Sequence, residues 1–336
     1  MGNRTVGIEA VEFSRCIMEM PQILPLAGLL ALPMRWRSTS TSLFIGRHPL
    51  KSGNTRLSHM LLMLMAFAAA ATVANLWYNQ PLLGAMADTF HRVPAVLGRV
   101  STLTQAGYAL GMLLFVPLGD LVERRRLILI LTALVTVALI LESTAPSLFW
   151  LEMSAAFIGL TTPIPQIILP LVADLAEPSE RGRAVGLVMG GLLIGILAAR
   201  TVAGFIANWL GWRMVFRFAA VLMLVIGFLV SRFFPISHPH PTKLGYRESL
   251  ATLWPLFRQN SELAAASLTG AALFATFSGF WTSLTFLLRA APFHFAPDVI
   301  GLFGLVGIGG ASAAPLAGRL ADTGDPRRTV TGSLVG

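Results

Sequence analysis

The chain has 336 residues, 55% of them hydrophobic and 12% charged, with a formal charge of +9. A soluble domain carries about 25% charged residues, so most of this surface is built to meet lipid. The single cysteine, Cys16, excludes an internal disulfide framework, and basic residues set between apolar runs, not grouped with aromatics, argue against nucleic acid as a partner.

Residues 1–57 differ in texture from the rest. Pro21 to Met34 is apolar but too short to span a bilayer, which takes about 20 residues. Glu9, Glu12 and Glu19 precede it, against the basic start of a signal peptide. This segment reads as a mobile or interfacial extension. The first charge-free run then covers Met60 to Ala87 and carries Asn75, Tyr78, Asn79 and Gln80, with Asn79–Gln80–Pro81 marking a helix end. Val100 to Gly119 is the second run, with Gln105 and Tyr108 inside it. Leu127 to Leu141 is the third. Met153 to Ala173 is the fourth; Pro163, Pro165 and Pro170 predict a kink there, with Gln166 available to the freed backbone groups.

The fifth run, Ala184 to Trp212, contains Arg200, and the sixth, Met214 to Ser231, contains Arg217. Gly186, Gly190, Gly191, Gly195 and Gly204 give the fifth run small faces for close helix packing. Leu263 to Leu288 and Val299 to Gly318 complete eight runs. They are continuous, not alternating, so they are read as helices and not as barrel strands. The expected organisation is an extension (1–57), a six-helix bundle (58–234), a linker (235–262) and a further part (263–336). Within the linker, His238 and His240 suit a polar turn better than a metal site, and Tyr246 to Phe257 suits an interfacial helix.

Arginine and lysine set the orientation. Nineteen of the 25 lie in segments on one side of the predicted spans and five on the other, with Arg200 inside a span. The basic side faces the cytoplasm, which places both chain ends there and makes membrane lipid the partner of these charges. Arg200 stands apart. A charge at the bilayer centre costs at least about 2.5–3.5 kcal/mol on insertion scales, and such residues usually face a water-filled cavity or a partner. Two readings stay open: a packing arginine bonded to carbonyls or snorkelling, or a cavity residue that binds an anionic or polar substrate. Asn75, Tyr78, Asn79, Gln105, Tyr108 and Gln166 are the other candidates to line that cavity. No acid lies deep in any predicted span; Glu142, Glu152 and Asp174 fall near span ends.

One motif occurs twice. "VPLGDLVERRR", Val116 to Arg126, returns as "GRLADTGDPRR", Gly318 to Arg328, with Asp120 matching Asp322 and Arg124–Arg125 matching Arg327–Arg328. A topology anchor needs no acid at the same place in both copies, whereas an internal repeat around a midplane site is a transporter architecture. This signature resembles the loop motif of the major facilitator superfamily, and "YNQPLL", Tyr78 to Leu83, resembles its bacterial arabinose-efflux and drug-antiporter branch. Val116 and Glu123 stand where that motif has glycines, and Leu121 where it has a basic residue. Ile196 replaces an expected proline in the fifth span, Ala198–Ala199 a glycine pair, and Ala155 an expected arginine in the fourth.

The resemblance implies an all-α membrane protein with a major-facilitator-type bundle, here about eight of twelve helices. It implies an inner-membrane secondary transporter of small molecules, working in export, with proton coupling open. It further implies that the gate-loop acid pairs with the loop arginine and caps a helix of the opposite half. Gly336 falls where a ninth span would begin, so the expectation is a firm first bundle and a loosely held part from Leu263 onward. The runner-up is a non-transporting fragment or interaction protein. No nucleophile–base set, glycine-rich phosphate loop or metal-ligand spacing appears in the sequence. Neither an enzyme, a cofactor nor a bound metal is therefore expected.

Overall fold

Continuous apolar sequence leaves the backbone one way to satisfy its own polar groups in lipid, and the helices follow. The computed structural model describes residues 58–237 and 245–303, which belong to one unit, Asn54–Gly336, and are helix and turn throughout. In order these are α1 (His59–Ala74), a short 3-10 turn (Gln80–Leu82), α2 (Leu83–Thr89), α3 (Pro94–Leu118), α4 (Arg124–Ser143), α5 (Leu148–Thr161) and α6 (Ile164–Leu175). Then come α7 (Arg181–Leu210), α8 (Trp212–Phe233), α9 (Tyr246–Gln259) and α10 (Ser261–Arg289). A further helical turn occupies 297–303. The 1–57 extension, His238, His240, Gly318, Asp322, Arg327, Arg328 and the eighth run beyond residue 303 lie outside the described residues.

Among the described residues, six helical stretches are long and apolar enough to cross a membrane, from Val96–Leu118 to Ser261–Arg289. α1 is a shorter apolar helix, and with α2 it occupies the run read from the sequence as the first span. Two spans are broken. In the first, residues 75–79 turn through short i→i−3 bonds such as Trp77 N–H to Ala74 O at 2.9 Å, and Pro81 sits in the 3-10 turn with no N–H to offer. In the fourth, α5 and α6 part at Thr162–Pro163, where the prolines remove ladder donors.

Side chains close the helix starts. Ser58 accepts the Leu61 N–H at 3.1 Å, and Asn260 accepts that of Leu263 at 3.1 Å. Glu123, at the position where the loop motif would carry a glycine, is the N-cap of α4 and accepts from Arg125 and Arg126 at 2.9 and 2.8 Å. A carboxylate there also meets the positive end of the helix dipole.

A single apolar core runs from Met65 to Phe234 and joins α1 through α8. Within it α1 lies along α7, α3 along α5 and α4 along α8. The α1–α7 approach depends on glycine: a Cβ on Gly195 would collide with the Ala70 backbone. Gly191 abuts Ala66 and Gly204 abuts Pro297, whereas Gly186 and Gly190 have nothing within 4 Å, so only part of the predicted small face is used. The outer face of α8 is as apolar as its inner one. Val221, Leu224 and Phe228 are 60–67% exposed, which suits lipid and not water. α10 contributes only Thr285 and Leu288 to the buried set. α9 carries Trp254 and Leu256 with Arg247 and Arg258 and buries none of its residues, as an interfacial helix would.

Candidate functional site

Arg200 lies inside α7 and is 2% exposed. The break in the first span brings Gln80 and Trp77 to it. Gln80 Oε1 accepts from Arg200 Nε at 3.2 Å and from a terminal nitrogen at 3.0 Å, and the other terminal nitrogen donates to Ile196 O at 3.1 Å. The guanidinium carbon is 4.6 Å from the Trp77 ring centroid, 4.3 Å from that of Trp281 and 5.6 Å from that of Phe277. Phe277 and Trp281 sit one turn apart on α10, so the cluster is shared between the α1–α8 core and the following span. Trp77 also meets Phe277 edge-on at 5.5 Å. Cation–π contacts of this kind contribute about 0.5–2 kcal/mol each. None of the four ion pairs among the described residues includes Arg200.

The other polar candidates separate into pairs. Asn79 donates to Thr104 Oγ1 at 2.9 Å and so ties the first span to α3. Asn75 faces α8, with its amide 3.3 Å from Met223 Sδ. Gln166 donates to the Tyr108 hydroxyl at 3.0 Å and bridges α6 to α3. Tyr78 is buried at 3% exposure, and Gln105 Oε1 is buried without a partner among the described residues. Of the polar side chains read from the sequence, only Gln80 joins Arg200. The three aromatics around it carry no motif; the trace they leave in the sequence is the i, i+4 spacing of Phe277 and Trp281 inside an apolar run.

A second constellation surrounds the loop before α4. Arg124 Nε donates to Gly119 O at 3.1 Å, and its terminal nitrogens reach Asp120 at 3.2 Å and Asp174 at 2.6 Å. The Arg124 N–H donates to Ser237 Oγ at 3.1 Å, while Glu123 Oε1 accepts from Ser237 N at 3.2 Å. Arg125 donates to the Ser231 carbonyl. The loop is thus fastened to the ends of α6 and α8. Asp174 is a member that no motif marks. The helix of the opposite half that Asp120 would cap is not among the described residues.

At the far end of α3 and α7 other contacts join the core to α10 and the turn after it. Asp88 pairs with Arg289, Asn208 donates to Asp298 at 3.2 Å, and Thr201 donates to Gly301 O at 3.0 Å. Glu142, which the sequence puts near a span end, is wholly buried and accepts from Ser154, while its Oε1 has no partner among the described residues.

Broken spans are common in transporter folds, and comparison with known proteins points to such a family. Residues 18–336 match the family model described as Major Facilitator Superfamily. The "Uncharacterized transporter YgaY" of Escherichia coli O157:H7 is 43% identical over 282 residues, which cover 84% of this chain and 71% of the relative. The "Probable transporter SCO4007" of Streptomyces coelicolor is 34% identical over 269 residues, 79% of this chain and 62% of the relative. Among solved structures, a bacterial homologue of the human lysosomal transporter Spinster, inward-facing and unoccupied, superposes with a TM-score of 0.63 at 18% identity. That match covers 82% of this chain and 64% of the other. The chain spans about two thirds of the length of these proteins. With a family model covering nearly its whole length, this chain belongs to the Major Facilitator Superfamily.

Proposed function

We propose that this protein is a secondary transporter, not an enzyme, that exports a small molecule across the inner membrane, with the solute held beside Arg200. The observation that carries this reading is the composition of the Arg200 cluster. Trp77 and Gln80 come from the first span, Arg200 from α7, and Phe277 and Trp281 from α10. A site shared in this way is remade whenever α10 shifts against the core, which is what alternating access requires. The Asp88–Arg289 pair and its neighbours join α10 and the turn after it to the core, and the Arg124 loop is fastened to the ends of α6 and α8. Rocking would break the first set and engage the loop acid, Asp120, a two-state exchange. Export follows from the likeness of "YNQPLL" to the efflux branch, and a proton gradient is the first driving force to test. The 19-to-5 split of basic residues supports a cytoplasmic Arg124 loop, α9 and chain ends.

Two experiments test this. A reporter active only outside the cytoplasm should be silent when fused after Arg258 and active after Pro292; the reverse pattern sinks the orientation. Proteoliposomes loaded with a panel of labelled small molecules should release at least one faster when a proton gradient is imposed, and Arg200→Ala should slow that release. Gradient-independent leakage of every solute would remove the transport reading.

A further inference from the structure

The Arg200 cluster is rich in donors and poor in acceptors. A guanidinium carries five N–H groups; three bond to Gln80 Oε1 and Ile196 O, and two have no acceptor among the described residues. Gln80 Nε2 and Trp77 Nε1 are buried and likewise without partners there. Gln80 Nε2 carries two N–H groups, so five buried N–H groups around one cation lack acceptors among the described residues. Both acceptors that are present are neutral, and no described carboxylate pairs with Arg200. A buried charge without a counter-charge and buried donors without acceptors are each costly. They persist where something else completes them. The walls of the cluster are the flat faces of Trp77, Phe277 and Trp281.

We infer that Arg200, Gln80 Nε2 and Trp77 Nε1 receive the carboxylate of an organic anion whose apolar body lies against Trp77, Phe277 and Trp281. This rests on the transport reading and names its substrate class. A planar carboxylate offers two oxygens to the guanidinium edge and supplies the missing negative charge. The rings offer no partner to a second anionic group but accept an aryl or alkyl body. Phe277 and Trp281 belong to α10, so they cover the guanidinium in this conformer and withdraw when α10 moves.

The test uses the 336-residue chain in lipid nanodiscs, titrated with acetate, benzoate, benzamide and benzylamine, with melting midpoint and tryptophan fluorescence as readouts. Benzoate should raise the midpoint saturably and change the fluorescence, acetate should do so more weakly, and the neutral and cationic probes should not. Arg200→Ala should weaken benzoate binding roughly tenfold or more, and Arg200→Lys should retain part of it. Gln80→Glu supplies an internal carboxylate and should raise the midpoint of the free protein while abolishing the benzoate response. A merely structural arginine predicts no such exchange. No response to either carboxylate, or a benzoate response that survives in Gln80→Glu, overturns the assignment. Benzamide or benzylamine binding that Arg200→Ala abolishes would overturn the anion class while leaving the solute beside Arg200. Equal behaviour of wild type and Arg200→Ala toward every responding probe would remove Arg200 from the site altogether.

Discussion

Arg124 and Arg200 are both buried, at 8% and 2% exposure, and opposite chemistry holds them. Arg124 stands at one end of the core with two carboxylates, a backbone carbonyl and neighbours from α6 and the end of α8. Arg200 stands within α7 with one amide oxygen, one carbonyl and three rings. The first is matched by charges fixed in the chain, and the second is not. Burial alone does not distinguish these two arginines; the counter-charge does.

The largest test of that contrast is Arg124→Ala. It strands the Gly119 carbonyl and frees two acids, and it should lower stability by about 2 kcal/mol, read as a lower melting midpoint in detergent. An unchanged midpoint would mean that the loop is not fastened through this residue. The two acids should then differ. Asp174 is the closer partner, at 2.6 Å with its side chain 39% exposed, while Asp120 is at 3.2 Å and 62% exposed. After allowance for solvent screening, Asp174→Asn should cost about 1 kcal/mol and Asp120→Asn less than about 0.5. Equal losses would show that geometry does not rank them. Arg200→Met should lose far less stability than Arg124→Ala, staying within about 1 kcal/mol of wild type in either direction. Replacing a buried charge by an apolar side chain of similar volume is often neutral or stabilising. A loss as large as that of Arg124→Ala would make Arg200 a fastening residue too.

The fold was legible because each charge-free run could only be a helix in lipid, and Arg200 was legible because one charge interrupts such a run. The Arg124 loop was legible through its repeated acid and basic residues. Asp174, fifty positions away from Arg124, has no local mark and becomes part of the loop only when α6 packs beside it. Glu123 looked like a mismatch to the motif, and its role as a helix cap shows once the start of α4 is placed. Phe277 and Trp281 were unmarked for a similar reason: aromatic residues abound in spans, and their contact with Arg200 depends on which span lies next to which. Asn75, Asn79, Tyr108 and Gln166 read as one cavity set because sequence gives residue type without direction. Three-dimensional packing gives Asn75, Asn79 and the Tyr108–Gln166 pair separate partners.

The break in the first span divides one membrane crossing into two parts under different demands. α1 is clamped to α7 where Ala66 and Ala70 meet Gly191 and Gly195, and almost any larger residue there would force the helices apart. The five residues after it, together with the 3-10 turn, are relieved of the regular ladder and present Trp77 and Gln80. Small dihedral changes in that stretch can re-aim both side chains without shifting α1. If the solute sits beside Arg200 as proposed, substitutions in that stretch change how it is held while the clamped α1–α7 pair stays in place.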